Sequence, residues 1–152
     1  MKKLTKVLAL VLVLATLAFT LVSCSTYGKI KSALEKKDYV ENSDLDTLAT
    51  AIKEELEKKD LAVEIHMFAK KGTLGKNVLV VEFKATDDMK KAYENSNTMQ
   101  GLIKDIQKND DAKAFYNALV EAGYANGNCL VFPLSIVQSE FIKEVKDIVK
   151  NA

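Results

Sequence analysis

Val78-Leu-Val-Val-Glu-Phe-Lys84 places four apolar residues in succession, three of them β-branched. Successive side chains of a strand point to opposite faces of its sheet. A strand that is apolar at consecutive positions therefore needs a cover on both sides, and belongs in the middle of a sheet. The stretch before it supplies a neighbour. Leu61, Val63, Ile65 and Met67 alternate with Ala62, Glu64, His66 and Phe68, which is the period of a strand with two unlike faces. Lys70-Lys-Gly-Thr-Leu-Gly-Lys76 lies between the two runs, so they close as a hairpin over a loop of about six residues. One face of this hairpin is expected to meet helices. What covers the other is the open structural question that the sequence poses.

Helical patterns surround the hairpin. Ile30, Ala33, Leu34 and Lys37 share one face of a first helix. Ser43-Asp44-Leu45-Asp46 resembles a capping box, and Leu45, Leu48, Ala49, Ile52 and Leu56 follow it as one buried stripe running to about Lys59. Thr86-Asp87-Asp88 reads as an N-cap with acids in the first turn. The helix behind it carries Met89, Ala92 and Tyr93 inward, and Asn95-Ser-Asn-Thr98 is expected to split it near Asn97. Asn109 or Asp110 caps a further helix over Phe115, Ala118, Leu119 and Ala122, which Gly123 stops. After a turn at Asn126-Gly127, Asn128 to Phe132 forms a third strand ended or edged by Pro133. A last helix over Phe141, Ile142, Val145, Ile148 and Val149 starts at Ser139 or Ser135. The expected order is α-α-β-β-α-α-β-α, an α+β domain with about three strands packed against four to five helices. No internal repeat is read.

Ahead of this domain Lys2, Lys3 and Lys6 precede an uncharged run from Val7 to Val22, and Leu21-Val22-Ser23-Cys24 closes it. A basic start followed by an apolar stretch too short for a spanning helix reads as an export signal. The closing tetrapeptide resembles the lipobox of bacterial lipoprotein precursors. That resemblance implies cleavage between Ser23 and Cys24 and a diacylglyceryl thioether on Cys24, which holds the protein on the outer face of the cell membrane. One acyl chain binds a bilayer marginally and two bind it stably. The expected organisation is a signal peptide at 1–23, a short lipid tether at 24–28 and one extracytoplasmic domain at 29–152. The domain also has the look of small lipoproteins of Gram-positive-type bacteria, a likeness of element order that implies no activity. Five residues of tether reach about 17 Å at most, so the domain is expected to ride close to the membrane, where Lys29 and Lys31 could meet anionic headgroups.

Composition narrows the partners. Removal of residues 1–23 takes three lysines and no acid, leaving 19 lysines against 21 acids, a near-neutral chain. Arginine is absent, so no guanidinium fork can clamp phosphate or guanine, and nucleic acid is excluded as a partner. Cys129 lies in Cys-Leu-Val-Phe and reads as a small apolar core residue; with Cys24 lipidated it has no intrachain disulfide partner.

Catalytic chemistry finds little footing. His66 is the only histidine, it lies within a strand, and no nucleophile elbow accompanies it. One histidine and one cysteine do not make a typical zinc set, and no cofactor or metal is expected. Asp87-Asp88 and Asp110-Asp111 fall at helix starts, where the dipole accounts for them. Gly72-x-x-Gly75 with its lysines opens no helix and reads as a solvated hairpin tip. The function expected is that of a membrane-anchored binding module whose partner is an envelope protein, a peptide or a cell-wall polymer. The alternative is an envelope hydrolase whose carboxylates meet only on folding.

Overall fold

The computed structural model describes residues 25–42, 47–103, 112–134 and 139–152. Ser23 and Cys24, the Ser43–Asp46 capping box, the Asn109 and Asp110 caps and Ser135 lie outside the described residues. The α+β class is as expected, but the sheet has five strands instead of about three, and the described residues form six helices. In chain order they are α1 (Thr26–Glu35), β1 (Tyr39–Asn42), α2 (Thr47–Glu57), β2 (Val63–Lys70), β3 (Asn77–Phe83), α3 (Thr86–Asn95), α4 (Asn97–Ile103), α5 (Ala112–Ala122), β4 (Ala125–Asn126), β5 (Cys129–Leu134) and α6 (Ser139–Asn151).

The sheet runs β1-β2-β3-β5-β4 with every neighbouring pair antiparallel. As the apolar run requires, β3 is its middle strand, and Val78, Leu79, Val80 and Val81 are fully buried. On one face Val63, Met67, Leu79, Val81, Phe83, Leu130 and Phe132 pack against α2 (Ile52, Leu56), α3 (Met89, Ala92), α4 (Met99) and α5 (Leu119). On the other, Phe68, Val78, Val80, Cys129 and Val131 meet Tyr27, Ile30 and Leu34 of α1 and Phe141, Val145, Ile148 and Val149 of α6. The second cover is therefore the first helix together with the last, and the sheet lies between two helical layers.

Both strands missing from the sequence reading are short. β1 has four residues and β4 two, less than is needed to show a period of two. A different signal marks β1. The pentapeptide Leu-Glu-Lys-Lys-Asp occurs twice, as Leu34–Asp38 and Leu56–Asp60, so a local repeat is present after all. In each copy the helix ends and the aspartate takes the left-handed conformation, φ 63° at Asp38 and 58° at Asp60. Aspartate tolerates that region better than most residues, and it turns the chain out of the helix towards a strand.

Three other boundaries moved for local reasons. α1 starts at Thr26, ahead of the boundary expected at residue 29, because the Ser25 hydroxyl accepts a hydrogen bond from Gly28 N at 2.9 Å. Thr86 is the first residue of α3 and Ala85 occupies its cap position. β5 continues to Leu134 through Pro133. Val131 N–H points away from β3 to Tyr124 O, so the ring nitrogen two residues on faces the side where β4 has already ended. The split at the Asn-Ser-Asn stretch falls at Ser96, which is extended and buried, with its hydroxyl accepting from Met99 N at 3.0 Å.

Polar contacts fasten α6 to the sheet. Glu144 Oε1 accepts from Lys70 Nζ at 2.6 Å and from Tyr39 Oη at 3.1 Å. Burial opposes ionisation of Glu144, but these two hydrogen bonds and the Lys70 charge prevail and lower its pKa. A carboxylate with a lowered folded-state pKa contributes stability that is complete above its unfolded value, about 4.3, and is lost as pH falls through the folded value. Urea unfolding from pH 7 down to pH 3 should therefore show E144Q less stable than the parent at neutral pH, with the gap narrowing in acid.

Candidate functional site

One end of the second face is polar. Glu64 and His66 stand two apart on β2 and so point the same way. The register sets Glu64 directly opposite Glu82 of β3, His66 opposite Val80, and Glu41 of β1 opposite Phe68. Like charges directly opposite one another on a sheet are destabilising, so this arrangement calls for a counter-charge.

Part of it comes from α1. Lys31 Nζ pairs with Glu41 Oε2, while Glu41 Oε1 accepts from Tyr27 Oη at 2.7 Å. The Tyr27 ring lies flat on His66, with centroids 3.8 Å apart and planes 19° from parallel. Burial pushes Glu41 towards neutrality, but the hydrogen bonds from Lys31, Tyr27 and His66 outweigh it and hold its pKa at about 2. Burial and the adjacent Glu41 carboxylate both raise the Tyr27 hydroxyl, so it remains a donor. Glu41 is thereby a fixed anion.

His66 is oriented by that anion. Its Nδ1 lies 2.9 Å from Glu41 Oε1, and since an ionised carboxylate only accepts, Nδ1 carries the proton. Nε2 faces the other way, is buried, and has no hydrogen-bond partner. Its neighbours are Glu82 Oε2 at 3.7 Å and Glu64 Oε2 at 3.9 Å. Glu64 and Glu82 also line a pocket of about 450 Å³ with Ala62, Val63, Phe83, Lys84 and Asn128, where β2 begins and β3 ends.

The N-terminal end of α1 lies at this same end of the sheet. Gly127, at φ 53°, leaves no space for a Cβ, which would stand 2.6 Å from Thr26 Oγ1. Asn128, next to it, donates to Phe83 O and forms part of the pocket wall.

The other candidates are dispersed. Ser23 and Cys24 lie outside the described residues, and Ser25 directly follows them. Lys31 turns inward to Glu41, while Lys29 is exposed. Asp87 and Asp88 occupy the first turn of α3, and Asp110-Asp111 lies outside the described residues. The Gly72–Gly75 tip stands at the opposite end of the hairpin from the pocket, with Leu74 almost fully exposed. Cys129 is fully buried and free. A second groove of about 570 Å³ between α1 and α6 is edged by Ala33, Lys37, Lys143, Glu144 and Ile148.

Reading His66 by itself misses Glu41, Glu64 and Glu82. The signal for Glu64 and Glu82 was present in the hairpin, since strands folding symmetrically about Lys70–Lys76 bring residue 64 opposite 82. No helix among the described residues is long and apolar enough to cross a membrane. The chain matches no protein-family model, no curated protein and no solved structure, so the reading of this site rests on its own geometry.

Proposed function

We propose that this chain is a membrane-tethered extracytoplasmic domain that works by binding, held by a diacylglyceryl group on Cys24. The single observation that supports it most is how few residues separate Cys24 from the polar end of the sheet. Ser25 caps α1, Thr26 packs on Gly127 and Tyr27 stacks on His66, so the polar end of the sheet starts within three residues of Cys24. Three residues span about 11 Å at most. A lipid at Cys24 sets the pocket bounded by Glu64, Glu82 and Asn128 beside the bilayer, and turns the Leu74 tip away from it. The ligand is then something presented near the membrane surface: an envelope protein, a peptide or a wall polymer. Nucleic acid remains unsuited to a near-neutral chain without arginine.

The test uses a photo-crosslinking residue at exposed Ala62 on the pocket rim, compared with one at Leu74, in intact cells. Phospholipid adducts are expected at position 62, much weaker at 74, and lost in C24A. Equal labelling at both positions, or labelling indifferent to C24A, would overturn the proposal.

A hydrolase is the second reading, favoured by the facing Glu64 and Glu82. Glycoside hydrolysis uses carboxyl groups roughly 5–10 Å apart with room for substrate or water between them. Here the ligand atoms of Glu64, His66 and Glu82 all lie within 4.8 Å of one another, with His66 Nε2 at 3.9 Å from Glu64 and 3.7 Å from Glu82. Binding suits that geometry better than glycosidic cleavage.

A further inference from the structure

We infer that Glu64, His66 and Glu82 form a binding site for a divalent transition-metal ion of the zinc class. This goes beyond the tethering proposal and does not depend on it. The argument starts from the direction of His66. Hydrogen bonding of the other ring nitrogen to a carboxylate is the usual way in which a metal-ligating histidine is fixed, and Glu41 does this at Nδ1. In the neutral ring that leaves the Nε2 lone pair buried and directed between two carboxylates. Unfilled, the arrangement sets a lone pair against anions, and one anion directly across the strands from another.

The contact distances suit an ion shared by the three groups better than direct hydrogen bonding between them. A direct charge-assisted hydrogen bond brings nitrogen and carboxylate oxygen to about 2.7–2.9 Å. Neither carboxylate comes closer than 3.7 Å, although Glu64 is exposed and free to swing in. Around a tetrahedral ion with bonds of roughly 2.0–2.1 Å, ligand atoms stand about 3.4 Å apart. From Nε2 the observed 3.7 and 3.9 Å need an inward movement of a few tenths of an ångström. The two carboxylates, whose ligand atoms lie within 4.8 Å of each other, need to close by up to about 1.4 Å, a movement that falls to the exposed Glu64. One imidazole and two carboxylates suit zinc or its transition-metal neighbours, whereas calcium takes six to eight oxygens and magnesium an octahedron of oxygens. Three protein ligands leave a fourth position for water or another ligand, and Glu64 and Glu82 also line the pocket at this end of the sheet.

The charges agree. Glu41, Glu64 and Glu82 gather round one ring with Lys31 as the only cation paired to them among the described residues, and Lys31 is bonded to Glu41. A divalent ion at Nε2 would balance the other two carboxylates.

The experiment is equilibrium dialysis of the full-length chain in detergent, stripped with chelator and then offered zinc in millimolar magnesium and calcium. One zinc per chain is expected. E64Q and E82Q, nearly isosteric changes, should each weaken binding at least tenfold. E41Q, acting on ring orientation alone, should weaken it 10- to 100-fold. E54Q, on an exposed position of α2, should bind as the parent does. Cobalt loading should give the intense visible absorption of a tetrahedral site, absent in E82Q. Circular dichroism of each variant separates loss of the ligand from loss of the fold, and a variant that unfolds is replaced by E82D, which keeps the charge but withdraws the oxygen. Substoichiometric zinc, displacement by magnesium or calcium, or E64Q and E82Q binding as tightly as the parent would each overturn the inference.

Discussion

Replacing Phe141 with alanine is expected to lower the unfolding free energy by about 3–5 kcal/mol, the usual cost of removing a buried aromatic ring. The ring is almost completely buried, on α6, in the cluster with Phe68, Val78, Val80 and Val131. Domains of this size have about 5–15 kcal/mol of stability in total, so this one change takes a large share of it. The prediction tests the second helical layer directly. If α6 merely rested on a wet sheet face, removing the ring would cost under about 1 kcal/mol, as is usual at a surface. V40A, at the half-exposed position on β1, is the control and should fall within about 0.5 kcal/mol of the parent. Urea unfolding followed by far-ultraviolet circular dichroism measures both variants.

The second large effect concerns Cys129. Burial and the neighbouring Glu82 carboxylate push its thiol up to about 12, against roughly 8.5 for a free cysteine. Only the thiolate attacks a disulfide reagent. Near pH 8 the ionisation difference alone slows the reaction of the folded protein by roughly a thousandfold or more relative to the urea-unfolded chain, and full burial slows it further. The sign with pH follows: the folded-state rate should climb tenfold per pH unit well beyond the point where the unfolded chain levels off. Absorbance of the released thiolate from an aromatic disulfide reagent reports both rates, with C24S used so that one thiol remains. Rapid labelling of the native protein would mean that β5 is open to solvent.

How far the residues announced this fold depends on the range of the signal. The run from Val78 to Val81 was enough to place β3 in the centre of the sheet and to demand two covers. An amphipathic stripe says that a helix has a buried side but not which sheet face it meets. Thus α1 (Thr26–Glu35) and α6 (Ser139–Asn151), far apart along the chain, could not be assigned to one layer. β1 and β4 were hidden by length, although the second Leu-Glu-Lys-Lys-Asp, with a strand already read behind it, could have marked Tyr39 as the start of another. The polar cluster was half legible. Glu64 and His66 share a face by simple alternation, and Glu82 joins them through the hairpin register. Glu41 and Tyr27 arrive from elements whose placement only the folded chain decides.

α1 has a mechanical consequence as well. Its Tyr27, Ile30 and Leu34 grip the sheet through side-chain contacts, without the ladder of main-chain hydrogen bonds that ties one strand to the next. Tension applied at Ser25 therefore meets its weakest fastening first, and α1 is the element that yields. Its departure takes Tyr27 off His66 and Lys31 off Glu41, so such tension would dismantle the polar cluster before it breaks the sheet.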